Sequence, residues 1–214
     1  MTRVTGIVPA KRRSGWVEIR LDGASGILLP DEEAGRLALA EGDRVDADRL
    51  ERIRAAAARA EAIRGALRYL AMRPRSRREV EQRLERKGAD PVAIEAALAR
   101  CEALGHLDDR AFAAAYARHR IRLRPCGASR LTADLRSRGV TEAEARAGIR
   151  DAMRDEDVSE EVLLEREASR QARRLARLEP EVARRRLYGA LMRRGFPALL
   201  VRRWVEAWEA GGGE

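Results

Sequence analysis

The chain has 214 residues, 44 of them Lys or Arg against 35 Asp or Glu, for a net charge of +9, and only 4% are aromatic. So few aromatics confine any core to Leu, Ile, Val and Ala, and two cysteines, Cys101 and Cys126, cannot build a disulfide framework. No apolar run approaches the roughly 18 residues of a membrane helix and no secretory signal opens the chain, so a soluble, cytoplasmic protein is expected, without a membrane partner.

Lys11 and Lys87 are the only lysines. GC-rich codon usage accounts for much of the Arg and Ala but not for the sign of the charge, and a basic surface points to nucleic acid or to a partner that carries it. The charge is uneven. Residues 1–50 hold 8 basic and 9 acidic residues, whereas residues 51–214 hold 36 and 26.

In chain order, VTGIV, WVEIRL and GILLP read as short strands, and Asp22-Gly23 between the last two is a hairpin signal. DEEAGRLALA predicts a short helix and EGDRVD a turn, which makes residues 1–50 a small β-rich module. Helical patterning begins near residue 51, with 51–60 expected as a connecting helix.

From there one phrase recurs: LERKG at Leu84–Gly88, LRSRG at Leu135–Gly139 and LMRRG at Leu191–Gly195. Val80, Leu131 and Leu187 stand eight residues before the glycines, and Ile94, Ala145 and Val201 six after; Leu98, Ile149 and Val205 follow four later. Those offsets place apolar residues on one face of a helix ending at glycine and one face of the next. Pro74, Pro125 and Pro180 lie 14, 14 and 15 residues upstream of the glycines. Basic residues suit the negative end of a helix dipole, and glycine supplies the left-handed exit. Ser76–Glu79 and Thr141–Glu144 read as capping boxes, with Ala183 in the place of Ser76 in the third copy. The expected architecture is mainly α: three tandem three-helix repeats at 61–107, 108–158 and 159–208, forming an elongated curved array of roughly 60 Å from helices about 10 Å across, with a flexible tail at 209–214.

No catalytic constellation assembles, and a Gly-Lys-Ser/Thr phosphate loop is missing. His119 reads as a partly exposed filler among arginines and Cys101 as core. For Cys126, at a helix junction, reactive and inert readings both stand, the inert one preferred. Leu107-Asp108-Asp109 reads as a helix cap, with Leu107 and Phe112 as a hydrophobic staple, in preference to a metal site. No cofactor and no metal is expected.

What remains is positive charge near the helix junctions. Arg73, Arg75, Arg77 and Arg78 form a first cluster, and Arg118, Arg120, Arg122 and Arg124, alternating as two i,i+4 pairs, a second. Arg173, Arg174, Arg177 and Arg184–Arg186 form a third. The plain alternative is a solvated face with local acidic partners; for the set, anion recognition by guanidinium is preferred.

The segments YLAMRPRSRREVEQRLERKG (Tyr69–Gly88), LGHLDDRAFAAAYARHR (Leu104–Arg120) and LRSRGV (Leu135–Val140) resemble the RecX family, regulators of the RecA recombinase, over about residues 61–208. The resemblance implies three stacked three-helix repeats and a non-enzymatic monomer. It also implies binding to the RecA filament on single-stranded DNA, and inhibition of filament growth, ATP hydrolysis, strand exchange and the coprotease activity of the SOS response. It brings no catalytic residues. Its basic contact surface maps onto Arg75, Arg77, Arg78, Arg118, Arg120, Arg122, Arg124 and Arg130. The alternative from charge alone is a general DNA-binding helical array acting without RecA, relevant to DNA repair and recombination in either case.

Overall fold

Asp22 and Gly23 both have positive φ, 49° and 80°, the combination a two-residue type I′ turn requires. They join β2 (Trp16–Leu21) to β3 (Ala24–Pro30), while β1 (Thr2–Pro9) pairs antiparallel with the other edge of β2. The short helix expected in DEEAGRLALA is α1 (Asp31–Arg36). EGDRVD is more than a turn. The Gly42 N–H donates to the Val4 carbonyl and the Val4 N–H to the Asp43 carbonyl, which draws Arg44–Val45 alongside Thr2 and Arg3 as a fourth strand, β4. The sheet order is β3-β2-β1-β4. The structure, a computed structural model, describes residues 1–208; the tail expected at 209–214 lies outside the described residues.

The helical part begins at Ala47, four residues before the expected start, because the Asp46 side chain accepts the Arg49 N–H at 2.7 Å and caps the helix there. This helix, α2 (Ala47–Leu70), runs unbroken for 24 residues, so the connecting helix at 51–60 and the first helix of the first trio are one rod. Its early turns bury Ile53 and Ala56 with Val4, Ile19, Leu29 and Val45 of the sheet. Its later turns bury Ala62 and Ala66 against Val80 and Leu84 of α3 (Arg77–Glu85) and Ile94 and Leu98 of α4 (Pro91–Ala103).

The second trio is α5 (Asp109–Leu123), α6 (Ala128–Arg136) and α7 (Glu142–Asp155), and the third is α8 (Glu160–Leu175), α9 (Pro180–Arg193) and α10 (Ala198–Ala207). The three glycines that end the phrase all adopt left-handed backbone, with φ of 78°, 86° and 76° at Gly88, Gly139 and Gly195. Thr141 and Glu144 form the full capping box. In the third trio the pattern shifts: Pro180 is the first residue of α9, Glu179 caps it by accepting the Val182 N–H at 3.0 Å, and Ala183 is a fully buried core residue. A proline at a helix start costs no hydrogen bond, so the break seen before α3 and α6 becomes here an extra turn.

The chain divides into two compact units, Met1–Arg73 with Val80–Leu107, and Pro74–Glu79 with the chain from Asp108 onward. Asp108 caps α5 through the Ala111 N–H at 2.9 Å, as expected; of the staple pair, Leu107 joins the core of the first unit and Phe112 that of the second. The second and third trios share one continuous core, from Phe112 to Val205.

Within the second unit one joint is built twice. The Arg77 N–H donates to Asp109 Oδ1 and the Ala128 N–H to Glu160 Oε1, each at 2.8 Å. Both acceptors are the first residue of a trio's first helix, and both donors sit eleven residues before a stop glycine. Ser76 Oγ then donates to the Arg138 carbonyl at 2.6 Å, and the Gly127 N–H to the Arg194 carbonyl at 2.9 Å. Gly139 presses on the stem of Arg78, and Gly195 on the backbone of Gly127 and Arg130, closely enough that neither glycine has room for a Cβ.

Candidate functional site

The arginines of α5 sort by which neighbouring helix they face. Arg118 and Arg122, one turn apart, reach the end of α7: Arg118 pairs with Asp155 at 2.7 Å, and Arg122 grips Glu156 through Nη2 at 2.7 Å and Nε at 3.0 Å. Arg110, two turns earlier, pairs with Asp151 at 2.7 Å. These contacts hold the Asp151 and Glu156 carboxyls below the usual range, chiefly through the hydrogen bonds from Arg110 and Arg122. Arg120 points the other way, 3.8 Å from Asp134 of α6, which also takes Arg130 at 3.0 Å. Arg124 is exposed and has no ion pair among the described residues.

Around the start of α3, Arg75 and Arg77 are half-buried and Arg78 is exposed, its stem lying on Gly139. Ser76 is fully buried at this point, and Arg138 lies 3.5 Å from Glu79 and stacks over the Tyr116 ring at 5.1 Å. The acidic pair has structural work: Asp108 caps α5, and Asp109 accepts from Arg77 and is pushed up by burial. Cys126 is buried and burial raises its thiol pKa, while His106 and His119 are exposed.

In the third trio Arg173, Arg174 and Arg177 are exposed along the end of α8. Arg184 lies 3.5 Å from Glu181, whereas Arg185 and Arg186 have no ion pair among the described residues. Sequence reasoning did not single out Arg193, which lines one groove with them. It also missed the fully buried carboxylate of Glu167, which takes Arg194 at 2.7 Å, Arg170 through three hydrogen bonds and Gln171 at 2.8 Å. Arg194 in turn donates to the Pro125 carbonyl at 3.0 Å, tying α9 to the turn before α6. Among the described residues no three of these groups stand as acid, base and nucleophile in mutual reach; what the arrangement presents is guanidinium charge, part of it paired and part of it exposed.

The comparisons with known proteins agree with this architecture. Residues 62–101 match the description "RecX, first three-helix domain", residues 108–149 "RecX, second three-helix domain", and residues 159–205 "RecX, third three-helix domain". Regulatory protein RecX of Thermobifida fusca is 38% identical over 159 residues, covering 73% of this chain and 83% of the relative. Regulatory protein RecX of Geobacillus kaustophilus is 32% identical over 187 residues, covering 85% and 67%. A crystal structure of regulatory protein RecX superposes with a TM-score of 0.78 at 23% identity, over 97% of this chain and the whole of that one, a likeness of fold that includes the N-terminal module. With three consecutive trios matched in order over more than half of its length, the chain belongs to the RecX family of regulatory proteins.

Proposed function

We propose that this protein regulates the RecA recombinase without catalysis of its own, by binding the RecA filament on single-stranded DNA and restraining its growth, ATP hydrolysis, strand exchange and coprotease activity. The observation that carries the reading is the run of three RecX trios between residues 62 and 205. It acts as a cytoplasmic monomer. Of the arginines assigned to the contact, Arg78 and Arg124 offer guanidinium groups with no ion pair among the described residues. Arg118, Arg120, Arg122 and Arg130 would have to exchange an internal carboxylate for an external one; Arg75 and Arg77 complete the set beside Arg78.

The test is ATP turnover by the cognate RecA on single-stranded DNA. Substoichiometric protein is expected to slow turnover severalfold, and Arg78→Glu with Arg124→Glu to weaken that effect. Unchanged turnover at equimolar protein would defeat the reading. The surplus of basic over acidic residues beyond residue 50 favours a second reading, a DNA-binding array that acts without recombinase. It predicts tight, steeply salt-dependent binding to bare DNA together with unaltered RecA turnover.

A further inference from the structure

Four of the arginines assigned to recombinase contact, Arg118, Arg120, Arg122 and Arg130, are engaged with internal carboxylates, and a further group of uncompensated charges lies in the third trio. Between α8 and α9 runs a groove of about 490 Å³ whose lining contains three arginines, Arg185, Arg186 and Arg193, and no acidic residue. None of the three has an ion pair among the described residues. Leu175 and Gln171 form the α8 wall, and the Gln171 amide is already committed to Glu167.

The α9 side is built for close approach. Arg186, Gly189, Ala190 and Arg193 fall at i, i+3, i+4 and i+7 and share one helix face. The two small residues leave the floor low between the flanking guanidinium groups, and Arg193 lies folded over Gly189, where a Cβ would meet its Nη1 at 3.2 Å. Seven residues of helix separate the backbones of Arg186 and Arg193 by about 10.5 Å along the axis, so the guanidinium groups spring from points spread along the groove and not from a single turn. Arg174, three residues after Gln171 on the same side of α8, is exposed and extends the positive strip.

We propose that this groove is a direct binding site for the phosphate backbone of a nucleic-acid strand, two or more phosphates being held by Arg185, Arg186 and Arg193. A linear polyanion fits the spacing, guanidinium forks fit phosphate oxygens, and a groove without carboxylates repels none of them. The choice of ligand rests on the reading of the protein as one that acts at a recombinase–DNA filament; the site itself rests on the charge and shape of the groove.

The test is anisotropy of a labelled single-stranded oligonucleotide, without recombinase, across a salt series. Arg185→Ala/Arg186→Ala/Arg193→Ala should lower affinity on the order of tenfold or more and reduce the log–log salt slope by about 2, from about 0.7 per lost contact. Gly189→Glu, which sets a carboxylate on the groove floor at little cost in packing, should weaken binding in the same direction. The control Arg110→Ala/Arg146→Ala/Arg154→Ala removes as many charges from guanidinium groups held by Asp151 and Glu142, and should leave binding within about twofold once its fold is confirmed by circular dichroism. Wild-type binding by the groove variants, equal loss in the control, or displacement of the oligonucleotide by polyglutamate at equal charge each overturns the site. RecA turnover is scored separately: groove variants that bind oligonucleotide normally but no longer slow turnover would make the groove a protein contact and overturn the nucleic-acid site alone.

Discussion

At the scale of single residues, three glycines set where helices stop, and only two of them are enclosed. Gly88 and Gly139 share nearly the same left-handed backbone, yet a Cβ on Gly88 meets nothing within 4 Å, while one on Gly139 runs into the Arg78 stem. Gly88→Val should therefore cost only the backbone term, about 1–2 kcal/mol, and Gly139→Val should cost about 1–2 kcal/mol more, because the Arg78 stem must be expelled. Urea unfolding followed by far-UV circular dichroism measures both; equal losses would mean that Arg78 yields freely. The conformation of these glycines was legible in the sequence, since basic residue, glycine and helix restart together have one physical solution. The seat of Gly139 was not, because its neighbour lies sixty-odd residues away and no local pattern announces it. The arginines teach the same point. Neither Arg118 nor Arg122 has an acidic residue three or four positions away, and nor do Arg186 and Arg193, yet the first two are ion-paired and the last two are not.

Among elements, the α5–α7 crossing is where packing decides most. Gly148 of α7 faces Ala113 and the backbone of Arg110 and Ala114; an added Cβ would sit 2.6 Å from the Ala113 Cβ and 2.7 Å from both backbone atoms. Backbone cannot swing aside as a long side chain can, so Gly148→Ala should destabilise the second unit by about 1–3 kcal/mol by overpacking, even though Ala is the better helix former by about 1 kcal/mol. Gly65, inside α2, makes the opposite case. Its added Cβ would meet only Leu84 Cδ2 at 3.4 Å, ordinary contact, so Gly65→Ala should stabilise by up to about 1 kcal/mol. Opposite signs in the two denaturation midpoints are the expected result. Helix identities, caps and the order of the trios could be read from spacing, because a helix writes its period into the chain. The early start of α2, the strand Arg44–Val45 and the cap moved from Ala183 to Glu179 could not. Each is set by one or two side-chain or cross-strand hydrogen bonds, which leave no periodic trace.

For the whole molecule the arginine excess couples stability to pH through the carboxylates that answer it. Asp151 and Glu156 are held below their ordinary values chiefly by hydrogen bonds from Arg110 and Arg122; at Glu61 desolvation is the largest single influence, and the hydrogen bonds and charges of Arg64 and Arg13 together outweigh it. A depressed folded-state pKa contributes stability at pH above the unfolded value, and that contribution is lost as pH falls through the folded value. Asp109 has the opposite sign: burial raises it, so it costs stability at neutral pH and acid relieves that cost. Glu161 is lowered as well, chiefly by its hydrogen bond with the Ser159 side chain, so four groups against one leave acid destabilising, and the effect should set in below about pH 4, around the ordinary carboxylate values. Charge repulsion acts in the same direction, since the protein starts from +9 and every protonated carboxylate adds to it. Urea midpoints are therefore expected to be level from pH 7 to about pH 5 and to fall steeply below about pH 4. Asp151→Asn with Glu156→Gln should lower the neutral midpoint and flatten the acid limb, because the pairs to Arg110 and Arg122 would no longer be there to lose. An acid limb as steep in the double variant as in the parent would assign the pH dependence to net charge alone, and the α5–α7 ion pairs would then be ornaments of a solvated face.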